Sequence, residues 1–283
     1  DRRQRQMCIR DRGGILPADK VTPEIARIRG IPLGQASLSP NRHAEVANNG
    51  ELLDFIARVR EVSGLPTGFK TAMGGVDWLE DLCALINKRG VGSAPDFITI
   101  DSGDGGTGAA PMPLIDNTAL TVREALPMVV DVLDKHKLRD RVRIICAGKL
   151  ITPAEVAWAY CAGADFVNSA RGFMFALGCI QSLKCNKNTC PTGITTHQRH
   201  LQRGLDPEDK AVRVKNYAGK IHYGVGLIAH ACGVPHARAL ERRHVRLIQA
   251  DGKSRPLSEI YPPVEQGRRK PSAESKSTRN GVA

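Results

Sequence analysis

The chain has 283 residues, 41% of them apolar and 4% aromatic, enough to bury one sizeable core. Eight cysteines are scattered along it, no apolar run approaches the roughly 18 residues of a membrane helix, and no charged-then-apolar leader opens it. A disulfide scaffold, a membrane partner and a secreted protein are therefore not expected; a cytoplasmic one is.

The formal charge of +12 suggests nucleic acid until it is located. Residues 1–12 hold five Arg against Asp1 and Asp11, and residues 264–283 hold five Lys or Arg against two Glu, so each end carries +3. With few aromatic platforms for stacking, no nucleic-acid partner is expected, and a basic dock for an acidic electron-transfer partner suits the charge at least as well.

In chain order, residues 13–43 read as extended, Pro-interrupted chain, followed by an amphipathic helix over 49–64. Four buried-strand patterns follow, at 66–75, 96–106, 141–149 and 164–172, with helical patterns over 78–90, 121–137 and 152–164 between them. Regular alternation of strand and helix implies parallel βαβ units and an α/β fold. Cys83, Cys146 and Cys161 fall in these apolar patterns, where a free thiol serves as a small hydrophobe. After the last strand, "FMFALGCIQSL" continues as helix, residues 206–233 form a longer one, "RALERRHVR" reads as the solvated end of another, and residues 264–283 should be disordered.

In open α/β sheets and in (β/α)8 barrels alike, ligands bind at the carboxyl ends of the strands. Here those ends carry Lys70, Asp101 with the glycine loop "GDGGTG" (103–108), "CAGK" (146–149) and "NSARG" (168–172). The glycine loop formally matches Gly-x-Gly-x-x-Gly, but Pro111 and Pro113 leave no helix for a pyrophosphate to sit on. Its remaining use is close backbone approach to a flat ligand, with Gly105, Gly106 and Thr107 lining it and Asp101 beside it. Amides of Gly148, Lys149, Ala170, Arg171 and Gly172, with Ser169 and Arg171 side chains, suit a phosphate. Lys70 at an apolar strand end suits negative charge on a substrate or cofactor, and Lys70 and Asp101 are the candidate catalytic groups.

Beyond the last strand lie Cys179, Cys185 and Cys190 in a polar stretch, spaced Cys-x5-Cys-x4-Cys. Zinc wants four ligands and often a close pair, so it needs His197 as well; three thiolates also suit an iron–sulfur cluster lacking one corner. Both readings stand on spacing alone. The first makes the protein a zinc-stabilised α/β binding or scaffold module without redox activity, the second an oxidoreductase.

Four stretches, "GGILPADKVTPEIARIRGIP", "GDGGTGAAP", "ADFVNSARGFMFALGCIQ" and "CNKNTCPTGI", together resemble the FMN-binding domain of glutamate synthase large subunits and its stand-alone relatives, from about Gly13 to about Gln202. The resemblance implies a (β/α)8 barrel with FMN at the strand ends and a 3Fe–4S cluster on Cys179, Cys185 and Cys190. It implies reductive amination of 2-oxoglutarate to glutamate through 2-iminoglutarate, and an electron donor that is a ferredoxin or an NAD(P)H-oxidising flavoprotein subunit. A separate amidotransferase would supply ammonia. Lys70 would touch the flavin, and Gly148, Lys149, Ser169, Ala170, Arg171 and Gly172 would surround its phosphate. Residues 1–12 depart from the family's pattern and are expected to be non-native or disordered. Since a barrel needs eight strands and only four are legible, residues 13–202 are expected to be the C-terminal half of the barrel with the cysteine loop, and 203–263 a helical C-terminal appendage. Such a fragment would be inactive alone.

Overall fold

The computed structural model describes residues 15–38, 43, 45–104 and 117–264. The expectations for residues 1–12, for Gly105, Gly106 and Thr107, and for nearly all of 264–283 lie outside the described residues.

The first segment is less irregular than its prolines suggest. Strand β1 (Ile15–Leu16) pairs antiparallel with β2 (Ser37–Leu38), and between them α1 (Pro23–Arg29) starts at Thr22, whose side chain accepts a hydrogen bond from Ile25 N, and stops at left-handed Gly30. A threonine cap, proline at the first helical position and glycine after the last are ordinary helix punctuation. The amphipathic stretch forms α2 (Asn49–Ser63), which buries Leu52, Leu53 and Ile56.

Then come β3 (Phe69–Thr71), α3 (Asp77–Arg89), β4 (Phe97–Asp101), α4 (Val122–Lys135), β5 (Arg143–Ala147), α5 (Pro153–Ala162) and β6 (Phe166–Asn168). The strands pair in parallel in the order β3-β4-β5-β6. Every crossover thus steps the same way along the sheet, and right-handed connections then keep α3, α4 and α5 on one face. This is the strand order of a (β/α)8 barrel, with four parallel strands among the described residues; a doubly wound sheet would reverse direction.

Alternation along the strands sorts the two faces. Ile98, Ile100, Ile144 and Cys146 are buried in one cluster with Trp78, Leu82 and Ile86 of α3, Leu126, Val129 and Leu133 of α4, and Trp158 and Ala162 of α5. On the opposite parity, Thr99 and Asp101 are buried, whereas Lys70, Arg143, Phe166 and Asn168 are exposed. The two ends of the sheet also differ. At the amino ends, Asp96 takes hydrogen bonds from Thr67 N, Arg60 and Arg141, and Arg139 pairs with Asp165 at 2.8 Å in the interior. Burial pushes the Asp96 carboxyl up, and these donors outweigh it and hold it below its usual range. The amino ends are stitched by charge; the carboxyl ends hold the groups singled out from sequence.

Short helix α6 (Arg171–Ala176) follows β6 and ends sooner than the sequence pattern implies. Gly178 turns left-handed (φ 100°) and Cys179 N closes back on Met174 O, so the expected helix through Cys179 is a six-residue helix and a loop. After α7 (Arg199–Gln202) comes α8 (Pro207–Ala231), capped by Asp206 and laid along α5 and α6. Gly224 makes the fit possible, since a methyl there would stand 2.6 Å from Pro153 Cγ. The stretch expected to end a helix instead folds as two 3-10 turns and the hairpin β7 (Arg246–Ile248) with β8 (Ser254–Pro256), which leads into α9 (Leu257–Ile260). Arg242 explains this: its guanidinium reaches Asp131 at 2.6 Å, Pro127 O and Tyr261 O, contacts no local propensity encodes. No described helix is long and apolar enough to cross a membrane.

Candidate functional site

Strand β3 delivers Lys70 and β4 delivers Asp101 to the same face, because Lys70 pairs in register with Thr99, two residues before Asp101. Lys70 Nζ lies 3.0 Å from Asp101 Oδ2; the lysine side chain is 63% exposed and the carboxylate 11%. The pair therefore presents an ammonium group to the open face, anchored from below by a buried acid.

At the end of β5, Gly148 (φ 144°) and Lys149 (φ 47°) both have backbone conformations that L side chains avoid. A methyl on Gly148 would come within 2.4 Å of Ser102 Oγ, so the chain must be bare there. Ser102 is 2% exposed, and its hydroxyl has no hydrogen-bond partner among the described residues. A buried hydroxyl left unpaired costs free energy, so Ser102 calls for a partner beyond the described residues. Sequence reasoning missed Ser102, although a serine directly after a buried strand was the available signal. Beside these residues opens a cleft of ≈ 250 Å³ lined by Asp104, Thr121, Arg123, Lys149, Glu155 and Trp158.

At the end of β6, Ser169, Ala170, Arg171 and Gly172 form the turn into α6. Ser169 Oγ lies 3.0 Å from Tyr217 Oη, and Tyr217 donates to Ile151 O at 2.6 Å. A methyl on Gly172 would fall 1.7 Å from Tyr217 Oη, so Gly172 and Tyr217 occupy complementary space. Tyr217 thus ties the turn after β6 to the turn after β5 from outside the sheet, a role its position in α8 does not advertise.

The three thiols lie in one folded loop. Cys179 Sγ accepts from Gln181 N at 3.4 Å, and Cys190 Sγ lies 3.3 Å from Thr192 Oγ1. Burial pushes the Cys190 thiol up, but hydrogen bonds from Thr192 and Thr195 outweigh it and bring it down to about 6, which favours the thiolate a metal requires. Among the described residues no three His, Cys, Asp or Glu side chains converge closely enough to hold a single metal ion. His197 is exposed, and its backbone N–H donates to Asn188 Oδ1 at 2.7 Å. The donor chemistry fits a thiolate-bound cluster, which needs a wider triangle of sulfurs than one ion does.

What holds this loop lies far away in sequence. Lys20, 8% exposed, donates to Cys185 O at 3.0 Å and Thr195 O at 2.6 Å, and Asp19 Oδ2 accepts from Asn188 Nδ2 at 2.7 Å. Asn188, left-handed at φ 57°, also accepts from Thr196 Oγ1 through its carbonyl. The "ADK" of the first segment is therefore a clamp on the cysteine loop. A buried lysine must have acceptors, and among the described residues the folded loop supplies them.

A family model described as "Conserved region in glutamate synthase" matches residues 6–235. The "Glutamate synthase large subunit-like protein YerD" of Bacillus subtilis is 42% identical over 241 residues, 85% of this chain and 46% of that protein. The "Archaeal glutamate synthase (NADPH)" of Methanocaldococcus jannaschii is 30% identical over 235 residues, 83% and 45% respectively. The chain thus spans about half the length of these curated relatives. Among solved structures, a mutant flavocytochrome b2 with benzoylformate aligns at a TM-score of 0.41 and 14% identity over 77% of this chain and 42% of that one, too distant to bear on fold or ligand. The chain belongs to the glutamate synthase family.

Proposed function

We propose that this member of the glutamate synthase family supplies the phosphate side of an FMN site and the thiolate loop of a 3Fe–4S cluster in an oxidoreductase that makes glutamate from 2-oxoglutarate. One observation carries the reading: α6 joins the two, beginning at the Ser169–Gly172 turn and ending two residues short of the Gly178–Cys179 step, with the loop beyond clamped by Lys20.

The chain's own residues divide the work as follows. Backbone amides at Gly148, Lys149 and Arg171 and the Arg171 guanidinium bind phosphate, with Tyr217 fixing the two turns relative to each other. Gly148 lets a ligand approach the backbone and leaves the Ser102 hydroxyl as a donor for it. Lys70 places positive charge where a reduced flavin accumulates negative charge, and Asp101 orients that ammonium. Cys179, Cys185 and Cys190 bind iron as thiolates, and the donors on Cys179 and Cys190 tune how readily it accepts an electron. When bound, the flavin provides hydride transfer to the imine and the cluster provides one-electron delivery. The electron donor is a ferredoxin or an NAD(P)H-oxidising subunit, and an amidotransferase supplies ammonia.

The test is compositional. The full-length protein, purified without air, should be yellow-brown and contain flavin, iron and acid-labile sulfide, and Cys185→Ala should lose iron and sulfide while keeping its far-ultraviolet circular dichroism. A colourless protein containing zinc would sink the proposal.

A further inference from the structure

A second cluster of side chains lies outside the sheet, where α8 packs along α5. Its buried members are Ala157, Cys161, Ala229 and Leu240, and Ile228 and Cys232 pack against them. Cys161 is 5% exposed and Cys232 is half-buried; both are free thiols, and neither belongs to the site described above.

The two helices run in the same direction with their contact faces in step. Tyr217 of α8 donates to Ile151 O just before α5 begins, and further along α8 Gly224 stands against Pro153 at the first position of α5. Rows of every fourth residue form the ridges by which helices pack. The row Pro153, Ala157, Cys161 therefore advances beside the row Gly224, Ile228, Cys232, and the two cysteines come to the same level at the carboxyl ends of their helices. Gly224, Ala157 and Ala229 are the small residues that let the two backbones approach closely. Burial pushes the Cys161 thiol up to about 12, and the nearby Cys232 thiol adds to the rise, an independent sign that the sulfurs are neighbours. At helix carboxyl ends the macrodipole also disfavours a negative sulfur, so both groups stay protonated until an oxidant arrives.

We propose that Cys161 and Cys232 form a reversible disulfide that staples α8 to α5 when small disulfides of the glutathione type accumulate. Cys232, the more exposed thiol, loses its proton and attacks one sulfur of the small disulfide, giving a mixed disulfide and releasing one small thiol. Cys161 then loses its proton and attacks the Cys232 sulfur, closing the protein disulfide and releasing the second small thiol. Two protein thiols are oxidised, one small disulfide is reduced, and the reverse exchange opens the staple again. The cross-link closes a loop of about 70 residues, which restricts the unfolded chain and so favours the folded one. Because α8 also carries Tyr217, it fixes the helix that ties the turn after β5 to the turn after β6. The staple is independent of the flavin and cluster reading, since neither cysteine is a proposed ligand.

The test equilibrates the full-length, cofactor-loaded protein in reduced or in oxidised glutathione, quenches it with acid, alkylates it and maps the peptides by mass spectrometry. Oxidised samples should contain a peptide pair that joins Cys161 to Cys232 and lacks two hydrogens, and reduced glutathione should separate it. The urea midpoint, followed by circular dichroism, should rise by about 1 M with the link. Cys232→Ser, a change at the half-buried partner, should abolish both the link and the shift; Cys232→Ala replaces it where the serine variant does not fold. Recovery of Cys232 from oxidised samples as a free thiol or as a glutathione adduct overturns the proposal. So does a link from Cys232 to any other cysteine, or a Cys161–Cys232 link that leaves the urea midpoint unchanged. Iron and flavin contents, measured on the same samples, test the proposed function separately and alter none of these outcomes.

Discussion

Two groups of cysteines in this chain have opposite environments. Cys83, Cys146 and Cys161 sit among the helices and sheet, 0%, 0% and 5% exposed, and burial pushes each thiol up to about 12. Cys190 is 6% exposed, hardly less buried, yet its thiol lies near 6. All four are shielded from solvent, but the core thiols lie deeper than Cys190, and what replaces the water differs too. In the core the replacement is hydrocarbon, which cannot solvate a thiolate, whereas in the loop it is a set of N–H and O–H donors that can. Burial alone therefore does not make a cysteine structural, and the same contrast separates the two ways this chain is held together: apolar interlock in the sheet, polar clamping in the loop.

The largest effect expected from this contrast is in thiol chemistry. In the native, metal-free chain at pH 8, iodoacetamide should label cysteines of the 179–190 loop and leave Cys83, Cys146 and Cys161 unmodified, since raising a thiol from 9 to 12 removes thiolate roughly a thousandfold. Peptide mapping by mass spectrometry reads this out, and rapid labelling of Cys146 in folded protein would break the comparison. Thiolate absorbance of the same chain should titrate with a midpoint near 6 that disappears in Cys190→Ser. The sign for stability follows. Unfolded Cys190 titrates at its ordinary 9.0 and the folded thiol at about 6, so between these the unfolded chain binds more protons. The contribution is complete above the unfolded value and is lost as pH falls through 6.

The next effect tests the clamp. Lys20→Met keeps the aliphatic stem and removes the ammonium, leaving Cys185 O and Thr195 O without their donor. Two charge-assisted hydrogen bonds put the expected loss at about 3 kcal/mol, confined to the loop because the sheet does not depend on Lys20. Hydrogen exchange should accelerate across residues 185–197 and not in β4 or β5. Uniform acceleration everywhere would mean that loop and sheet unfold as one unit and that the division drawn above is false.

Legibility in the sequence followed the same division. The sheet and its helices were readable because their signals are local: apolar runs such as "DFITID", capping pairs such as Thr152 with Glu155, and glycines at helix ends. The strand ends were readable as a group, and the register of β3 with β4 puts Lys70 and Asp101 on one face. Helix α1 carries its punctuation in "VTPEIARIRG", but the prolines on either side give the segment the pattern of extended chain. The clamp was not readable, since Lys20 meets Cys185 and Thr195 across 165 and 175 residues and nothing near Lys20 announces buried acceptors. The same holds for Arg242, whose partners replaced an expected helix end by a pair of 3-10 turns.

The smallest effect, and the sharpest, concerns Tyr217, which belongs to both regions. Its ring packs edge-on against Phe173, centroids 4.9 Å apart at 87°, in the manner of the core; its hydroxyl bridges Ser169 and Ile151 in the manner of the loop. Tyr217→Phe retains the first kind of contact and deletes only the second, so it measures polar stitching at constant packing. The expected loss is about 1–2 kcal/mol, since Ile151 O forfeits its donor while the ring stays in place. Ser169→Ala should cost less, because Tyr217 continues to satisfy Ile151. The pair must also be non-additive: once the tyrosine hydroxyl is gone, Ser169 has lost its partner, and removing it should cost almost nothing further. A double-mutant cycle by urea denaturation reads the coupling directly, and about 0.5 kcal/mol or more is expected for groups in contact. Strict additivity would mean that the hydroxyl serves Ile151 alone and that the turn after β6 is held by the packing of Gly172 against the ring, the core's way of holding rather than the loop's.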